Sequence, residues 1–348
     1  MGNFLDVATD LLRSNSVTDK RAEFETVFAA IGGLQAVHSK AKLDLNNIES
    51  IFTALELGRI LRHVPGMNPE SIDDAIKALK DLIVRTLEIT IRFPCSQGYI
   101  TAPPPYDSFA EMVKGLREKA QPQQSVSIIT FNYDIGVDVG LHRAGLGPNY
   151  VLEPAPQSQD AVDLLKLHGS LNWATETDTK KIRPLHLHHY FQKYSVRSPT
   201  DPSGIGIPIG SQLAEFFSSH AEPKVAVNAE PVIVPPSWNK ADYHQALSDV
   251  WAAAARHLSE AESVFVAGYS LPETDSFFRH LFALGSVGKA AFRRVVVYNP
   301  DHYCPVIKSN RFNWLLSWFC SDLYRSPGKA CCKGIFSKRV SDKTCSKV

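Results

Sequence analysis

The spacing of apolar residues along the chain changes near residue 120. Before that point apolar positions recur every three or four residues, most clearly between 69 and 91, which predicts amphipathic helices. Asn46, followed three residues later by Glu49, predicts the capped start of another helix. The three prolines at 103–105 predict a break before the helical pattern resumes. The first 120 residues are therefore expected to be mainly helical.

After residue 126 the pattern changes to short apolar runs rich in β-branched residues. Clear runs lie at 127–131, 164–167, 263–269 and 294–298, and a weaker one lies at 150–152. Runs of this length, bounded by polar residues or glycine and separated by helical stretches, predict buried strands. The alternation predicts an α/β fold with a Rossmann-like parallel sheet and helices on both faces, joined to the mostly helical N-terminal region.

These patterns divide the chain into three parts. Residues 1–120 form the mainly helical region, and residues 121–312 form the α/β core. Within that core, residues 174–230 carry clusters of proline, serine and glycine and are expected to be an irregular insert. Residues 313–348 end in basic, cysteine-rich sequence and are expected to be a disordered tail.

Charge and cysteine content limit the classes of partner and location. The 37 basic and 36 acidic residues give a net charge of +1, which offers no bulk attraction for nucleic acid or a membrane surface. No long apolar run occurs, so no membrane span is expected. None of the six cysteines belongs to a Cys-x-x-Cys pair, which disfavours a structural zinc site and a disulfide scaffold. A reducing, cytoplasmic location is expected.

Polar side chains directly follow two of the predicted strands. Asn132 and Asp134 come after the 127–131 run, and His168 comes after the 164–167 run. In open α/β sheets, ligands bind at the carboxyl ends of strands. A histidine accepts protons near neutral pH, and an asparagine amide both donates and accepts hydrogen bonds. The pair therefore suits chemistry at a sugar carbon, where a water or hydroxyl must be oriented and deprotonated.

Each of these residues also has a purely structural explanation. Asn132 or Asp134 suits the N-cap of the following helix, and His168 suits a hydrogen-bonded position at the end of a strand. The two explanations are about equal for each residue taken alone. The occurrence of Asn132 and His168 together, at two adjacent strand ends, favours a functional site.

Two later segments offer further polar groups at predicted strand ends. Gly268 allows close backbone approach to a ligand, and Ser270 adds a hydroxyl for phosphate or ribose, although both also suit an ordinary turn. Asn299 suits a ribose or adenine edge, or an Asx turn before the next proline. The three histidines within 186–189 have no carboxylate or cysteine spaced to complete a metal site, so no metal is expected.

Four segments occur in a fixed order along the chain. They are Thr130–Asp134 (Thr-Phe-Asn-Tyr-Asp), Leu167–Leu171 (Leu-His-Gly-Ser-Leu), Gly268–Leu271 (Gly-Tyr-Ser-Leu) and Tyr298–Asp301 (Tyr-Asn-Pro-Asp). In this order they resemble the SIR2-like family of NAD-dependent proteins, and most closely its divergent bacterial branch of NAD hydrolases in anti-phage defence. The resemblance extends roughly over residues 40–305.

The resemblance implies roles for the residues in these segments. His168 is expected to be the catalytic base, and Asn132 is expected to orient the water or ribose, with support from Asp134. NAD is the implied substrate, and nicotinamide and linear or cyclic ADP-ribose are the implied products. The implied cofactor-binding residues are Thr130, Phe131, Gly169, Gly268, Ser270, Leu271 and Asn299. Members of the family are switched on by an activating protein partner or by assembly into a homo-oligomer, and either is expected here.

Two departures from the family pattern keep a second function open. Sirtuin deacylases resembling this family carry a zinc module with two Cys-x-x-Cys pairs, and none occurs here, which argues against protein deacylation and against zinc. The family also opens with an apolar strand and a Gly-Ala-Gly turn, which lets the backbone approach the NAD pyrophosphate. No such strand is recognisable ahead of the first predicted helix. The alternative function is therefore a non-catalytic NAD or ADP-ribose binding module, or a degenerate SIR2-like fragment.

Overall fold

The computed structural model describes residues 4–96, 99–120, 125–152, 160–197, 206–210, 213–219, 224–234, 247–268, 276–285, 287 and 294–298. The architecture is mixed α/β and contains a small parallel sheet. The chain divides into two compact units, residues 1–254 and residues 255–348.

Five α-helices form most of the described N-terminal region, as the apolar spacing predicts. They are α1 (Phe4–Arg13), α2 (Arg21–Ala41), α3 (Ile48–Leu61), α4 (Pro69–Thr90) and α5 (Pro104–Glu118). The apolar faces of α1 to α4 meet in one core that includes Phe24, Phe52 and Leu79. Burying each such side chain contributes about 1.5–3 kcal/mol. The same core takes in Tyr133 and Leu171, so it also supports the two segments that carry candidate site residues.

The cap of α3 lies one residue later than predicted. The side-chain oxygen of Asn47, rather than that of Asn46, accepts the N–H of Glu49 at 2.9 Å. Asn46 instead donates its own backbone N–H to the carboxylate of Asp44 at 3.1 Å. The N–H of Asn47 donates to the carbonyl of Asp44 and closes a turn. This turn places Asn47, rather than Asn46, at the N-cap of α3.

Prolines lie at the start of two helices. Pro69 is the first residue of α4, and Pro104 and Pro105 occupy the first turn of α5. Proline is tolerated there because the first N–H groups of a helix have no partner within it. The predicted break at 103–105 was therefore wrong for the last two prolines, which begin the helix, while Pro103 precedes it.

Three two-residue strands link α4 to α5. They are β1 (Arg92–Phe93), β2 (Cys95–Ser96) and β3 (Tyr99–Ile100). β2 and β3 pair with each other antiparallel, with Cys95 opposite Ile100. Both of these residues are buried in a second apolar core, which also receives side chains from beyond residue 130. The short strands therefore join the helical region to the rest of the first unit.

A three-stranded parallel sheet follows in the first unit. It contains β4 (Ser127–Thr130), β5 (Gly147–Asn149) and β6 (Ala161–Lys166), in the spatial order β4–β6–β5. Helix α6 (Gly136–Arg143) lies between β4 and β5 in the chain. Leu164 and Leu165 point to opposite faces of β6, and both are fully buried. The apolar run at 164–167 predicted only the second half of β6, because Asp163 interrupts the apolar sequence in its first half.

The predicted position of the weaker strand was wrong. β5 lies at 147–149 rather than at 150–152, and Val151 adopts a left-handed conformation with φ +55° that ends any extended run. β5 has little apolar area of its own. Its main-chain pairing with β6 and the hydrogen bond from the Asn149 amide to Asp163, at 2.7 Å, hold it in place.

The predicted irregular insert, 174–230, contains more regular structure than expected. From residue 173 to 219 the described elements are β7 (Trp173–Thr175), β8 (Ile182–Pro184), α7 (Leu187–Arg197), β9 (Ile207–Pro208) and α8 (Leu213–Ser219). Leu187 and Tyr190 of α7 are buried against Phe93 and Ile135 in the second core. Two histidines between them obscure the helical spacing in the sequence.

The last described elements include a second parallel pair. Helix α9 (Ser248–Glu260) crosses the boundary between the two units. The second unit contains α10 (Ser276–Gly285) and the parallel strands β10 (Ser263–Ala267) and β11 (Arg294–Tyr298), where the apolar runs predict strands. The predicted tail at 313–348 lies outside the described residues. Where the structure describes the chain, no helix has the length and apolar character required to cross a membrane.

Candidate functional site

The two segments that carry the main candidates leave the parallel sheet side by side. Thr130 and Lys166 are paired at the ends of β4 and β6, and the N–H of Leu167 extends the pairing by donating to the Thr130 carbonyl at 2.9 Å. Because the strands run in the same direction, the residues after them emerge at the same edge. The prediction that Asn132 and His168 follow adjacent strand ends is confirmed.

His168 is buried at this edge, with 9% of the residue exposed. Its ring meets Phe131 edge to face, with centroids 5.0 Å apart, and its centroid lies 6.2 Å from that of Tyr133. Its carbonyl accepts the N–H of Val234 at 2.8 Å. Aromatic rings from the segment after β4 and a returning stretch of main chain therefore fix the position of the histidine.

Residues 232–234 form a covering segment over the end of β6. Its Val232 carbonyl accepts the N–H of Ser170 at 2.9 Å, and its Val234 carbonyl accepts the hydroxyl of Tyr133 at 2.6 Å. Gly169 lies directly beneath it with φ +84°, and a Cβ atom there would collide with the Val232 carbonyl. Glycine is therefore required at 169 both by the backbone conformation and by the close approach of the covering segment.

Asn132 is exposed, whereas its neighbours are partly or fully covered. Its backbone N–H donates to the hydroxyl of Thr130 at 3.2 Å, and its side chain lies near the phenol of Tyr106. Burial, followed by the negative charge of Asp134, raises the pKa of Tyr106 to about 12. Tyr106 therefore stays protonated at neutral pH. The exposed amide of Asn132 is accessible to a ligand at the sheet edge.

Asp134 is half-buried and lies just before Ile135, the N-cap of α6. Its Oδ1 accepts the N–H of Gly136 at 2.7 Å, and its Oδ2 accepts the hydroxyl of Tyr106 at 3.5 Å. Burial raises the pKa of the Asp134 carboxyl above its ordinary value, and the positive charge of Lys166 opposes this effect. The prediction that Asp134 is the N-cap was therefore wrong by one residue, because Ile135 occupies that position, and contact of Asp134 with a ligand stays a prediction.

The other predicted cofactor-binding residues at this edge also have internal roles. The hydroxyl of Thr130 accepts the N–H of Asn132, the ring of Phe131 packs on His168, and Gly169 admits the covering segment. These roles explain the residue types without a ligand. Contact of Thr130, Phe131 and Gly169 with a cofactor stays a prediction.

The remaining predicted residues belong to the second half of the chain. Gly268 follows β10 in the second unit with φ +66°, is exposed, and has open space where a side chain would lie. Its positive φ favours glycine, as expected at a turn after a strand. Ser270, Leu271 and Asn299 lie outside the described residues.

A buried ion pair at the same edge was missed by the sequence analysis. The ammonium of Lys166 donates to a carboxylate oxygen of Asp138 at 3.0 Å and to the backbone carbonyl of Asp134 at 2.5 Å. Lys166 is 1% exposed and Asp138 is fully buried. The signal was present in the sequence, because a lysine within a buried leucine run requires a buried partner.

Three more buried polar residues continue from this ion pair. The hydroxyl of Tyr150 donates to Asp138 at 2.6 Å and accepts the amide of Asn172 at 3.0 Å. The hydroxyl of Ser170 lies 2.6 Å from the amide oxygen of Asn172 and 3.3 Å from the carbonyl of Tyr133. Burial, with the neighbouring Asp138, raises the pKa of Tyr150 well above its ordinary value, so Tyr150 remains a donor.

A small cavity touches the site from the side of the helical region. It is lined by Asp134, Ile135 and Leu171, together with Leu87 of α4 and Tyr190 of α7. Its volume is about 10 Å³, which is close to the space that one water molecule needs. The cavity is mainly apolar apart from the Asp134 carboxyl, and it is too small for a nicotinamide ring without movement of its walls.

The histidines near α7 do not complete a metal site. The rings of His186 and His188 stack with centroids 5.9 Å apart, and those of His188 and His189 lie 3.9 Å apart. Over the part of the chain that the structure describes, no group of three or more His, Cys, Asp or Glu residues could hold a metal ion.

Two comparisons of the sequence with known proteins identify no relative. No protein-family model matches the chain, and a search of curated proteins finds no match. The function is therefore argued from the geometry at the sheet edge and from the motifs in the sequence.

Proposed function

We propose that the chain is an NAD-consuming hydrolase of the SIR2-like type, built on a Rossmann-like sheet, that releases nicotinamide and ADP-ribose. The observation that carries the proposal is the placement of Asn132 and His168 just after the carboxyl ends of two neighbouring parallel strands. Ligands of open parallel sheets bind at this edge. The choice of NAD among such ligands rests on the motif resemblance.

The groups at this edge match the requirements of cleavage at a ribose carbon. The bond between the nicotinamide nitrogen and the ribose carbon breaks, and its electron pair leaves with nicotinamide. The oxygen of a water bonds to the same carbon while His168 takes the water proton. The exposed amide of Asn132 orients the water or a ribose hydroxyl. Positive charge develops on the sugar, and the carboxylate of Asp134 stabilises it electrostatically.

A specific observation also favours the alternative, a non-catalytic NAD or ADP-ribose binding module. The carboxylate of Asp134 is already used by Gly136 and Tyr106, and the adjoining cavity holds only about one water. A binding module needs the sheet edge but not a free carboxylate or a water path. The two functions differ in whether nicotinamide is released.

Other parts of the proposal rest on the resemblance alone. They are a cytoplasmic location, a role in anti-phage defence, and activation by a protein partner or by assembly into a homo-oligomer. Gly268, Ser270, Leu271 and Asn299 are proposed to contact the cofactor on the same basis.

Nicotinamide release from NAD by the purified chain tests the proposal. His168→Ala is expected to lower the rate about 10²–10⁴-fold, the usual effect of removing a general base. His188→Ala, which removes an exposed histidine of α7, is the matched control and is expected to leave the rate unchanged. Circular dichroism must show that both variants fold.

Three results would contradict the hydrolase. Release that is unchanged in His168→Ala removes the assigned base. A wild-type chain that releases no nicotinamide but produces calorimetric heat with ADP-ribose supports the binding module instead. Absence of both release and heat contradicts both functions.

A further inference from the structure

We infer that Lys166 is a positioning residue, which holds the segment carrying Asn132 and Asp134 against the end of β6. The inference deepens the proposed hydrolase and rests on it for its catalytic meaning. The effect of Lys166 on the position and charge of this segment, however, can be measured without any substrate.

The segment is held mainly by a side chain from β6, with a weaker contact from the loop after it. The ammonium of Lys166 donates to the carbonyl of Asp134 at 2.5 Å, and the hydroxyl of Ser170 reaches the carbonyl of Tyr133 at 3.3 Å. Asn132 immediately precedes these two residues. Any movement of Lys166 is therefore transmitted to the amide of Asn132 and to the carboxylate of Asp134.

Lys166 is itself held in place by buried partners. Lys166 and Asp138 are both buried, and Tyr150 donates to the second carboxylate oxygen of Asp138. Asn172 then connects Tyr150 to Ser170, so the network returns to the same segment from its other side. A buried hydrogen-bond network of this kind rigidifies the groups that it joins. A surface lysine on a flexible stem has no comparable effect.

Lys166 also influences the charge of the site. The titratable groups that face Asp134 are Tyr106 from α5, Asp138 from α6 and Lys166 from β6. Only Lys166 is positive, and its charge lowers the pKa of Asp134 more than the charge of Asp138 raises it. Loss of both members of the ion pair is therefore expected to raise the pKa of Asp134 further.

The test compares a double variant with a matched network variant. Lys166→Met combined with Asp138→Asn removes the ion pair without leaving an unpaired buried charge, which would be strongly destabilising. Tyr150→Phe breaks the same network but keeps both contacts of Lys166. A merely structural role predicts the same behaviour in both variants.

Hydrogen exchange and carboxyl titration provide readouts that are independent of activity. In the double variant, peptides covering 131–136 are expected to exchange about tenfold faster, and the NMR titration midpoint of Asp134 is expected to move upward. In Tyr150→Phe the titration midpoint is expected to stay unchanged, and exchange is expected to accelerate much less than in the double variant, because both contacts of Lys166 remain. Equal changes in the two variants, or no change in either, would overturn the inference.

A conservative variant keeps the test decisive if the double variant does not fold. Lys166→Arg retains the positive charge and its donors, so the midpoint of Asp134 is expected to stay at its wild-type position. An upward shift in Lys166→Arg overturns the electrostatic part of the inference. If the wild-type chain releases nicotinamide, kcat of the double variant is expected to fall at least about tenfold with KM little changed. If it releases none, the proposed function fails, while exchange and titration still decide the role of Lys166.

Discussion

Replacing Gly169 with alanine measures how tightly the covering segment holds the end of β6. Gly169 has φ +84°, where a side chain costs about 1–2 kcal/mol. The added Cβ also collides with the Val232 carbonyl, so the covering segment must move. Movement disturbs the hydrogen bonds from Ser170 to Val232 and from Val234 to His168, each of which contributes about 1 kcal/mol. The free energy of unfolding is expected to fall by about 3–4 kcal/mol.

Gly145→Ala is the matched control, because it separates backbone strain from collision. Gly145 has φ +82°, nearly the same as Gly169, but a Cβ atom there has no neighbour within 4 Å. Only the strain of about 1–2 kcal/mol is expected. The difference of about 2 kcal/mol between the two variants corresponds to a factor of about 30 in the unfolding equilibrium constant.

Urea unfolding followed by tryptophan fluorescence gives both free energies under identical conditions. If the two alanine variants lose the same stability, the close approach of Val232 to Gly169 has no energetic effect, which contradicts this prediction. A loss below about 1 kcal/mol in Gly169→Ala would contradict the left-handed strain as well.

Two further predictions concern the packing of α5 on α6 and the titration of Asp134. Gly140→Ala places a Cβ atom 2.8 Å from the carbonyl of Tyr106 and 3.2 Å from the Cβ of Ala110, so it is expected to lower the free energy of unfolding by about 1–3 kcal/mol. Gly115→Ala on α5 meets nothing within 4 Å and is expected to raise it by about 0.5–1 kcal/mol; the same sign in both urea titrations would contradict this packing. Burial raises the pKa of Asp134 in the folded state, so its contribution to stability is fully present below the unfolded pKa and is lost as pH rises through the folded value. The stability of Asp134→Asn relative to the wild type is therefore expected to increase from about pH 4 toward neutral, and a pH-independent difference in Tm would refute this.

Elements that are stable because they bury apolar surface could be predicted from the sequence. Helix α4 was expected at 69–91 and spans Pro69–Thr90, because its apolar residues recur at helical spacing along its whole length. The runs at 127–131 and 294–298 contain β4 and β11 for a similar reason. Their side chains alone identify them as buried strands.

Elements held by main-chain pairing or by a polar contact could not be predicted in this way. β5 consists of Gly147, Pro148 and Asn149, which carry no apolar signal, and its position depends on the pairing with β6. The order of strands in a sheet is a further property that apolar runs do not encode. A Rossmann-like arrangement of the whole core therefore stays a proposal, beside the observed small parallel sheet.

The candidate site was predictable in position but not in its surroundings. Strand ends located Asn132 and His168, because parallel neighbours place their following residues at one edge. The contacts that orient them come from distant parts of the chain, such as Val234 over His168 and Tyr106 beside Asn132. The motif predicts that Gly169 binds the cofactor. Only the structure shows that glycine is required there because the main chain of Val232 approaches closely.

The covering segment is far along the chain from the residues that it contacts, and this separation determines when the site can form. The hydrogen bond from Tyr133 to Val234 joins residues 101 positions apart, whereas α3 and α4 are neighbours along the chain. Local helical contacts form early, and distant contacts must first overcome the entropy of closing a long loop. We therefore expect the helical region to fold first during synthesis on the ribosome. His168 then gains its final environment only after residue 234 has emerged, so the candidate site stays incomplete in the nascent chain until the first unit is nearly complete.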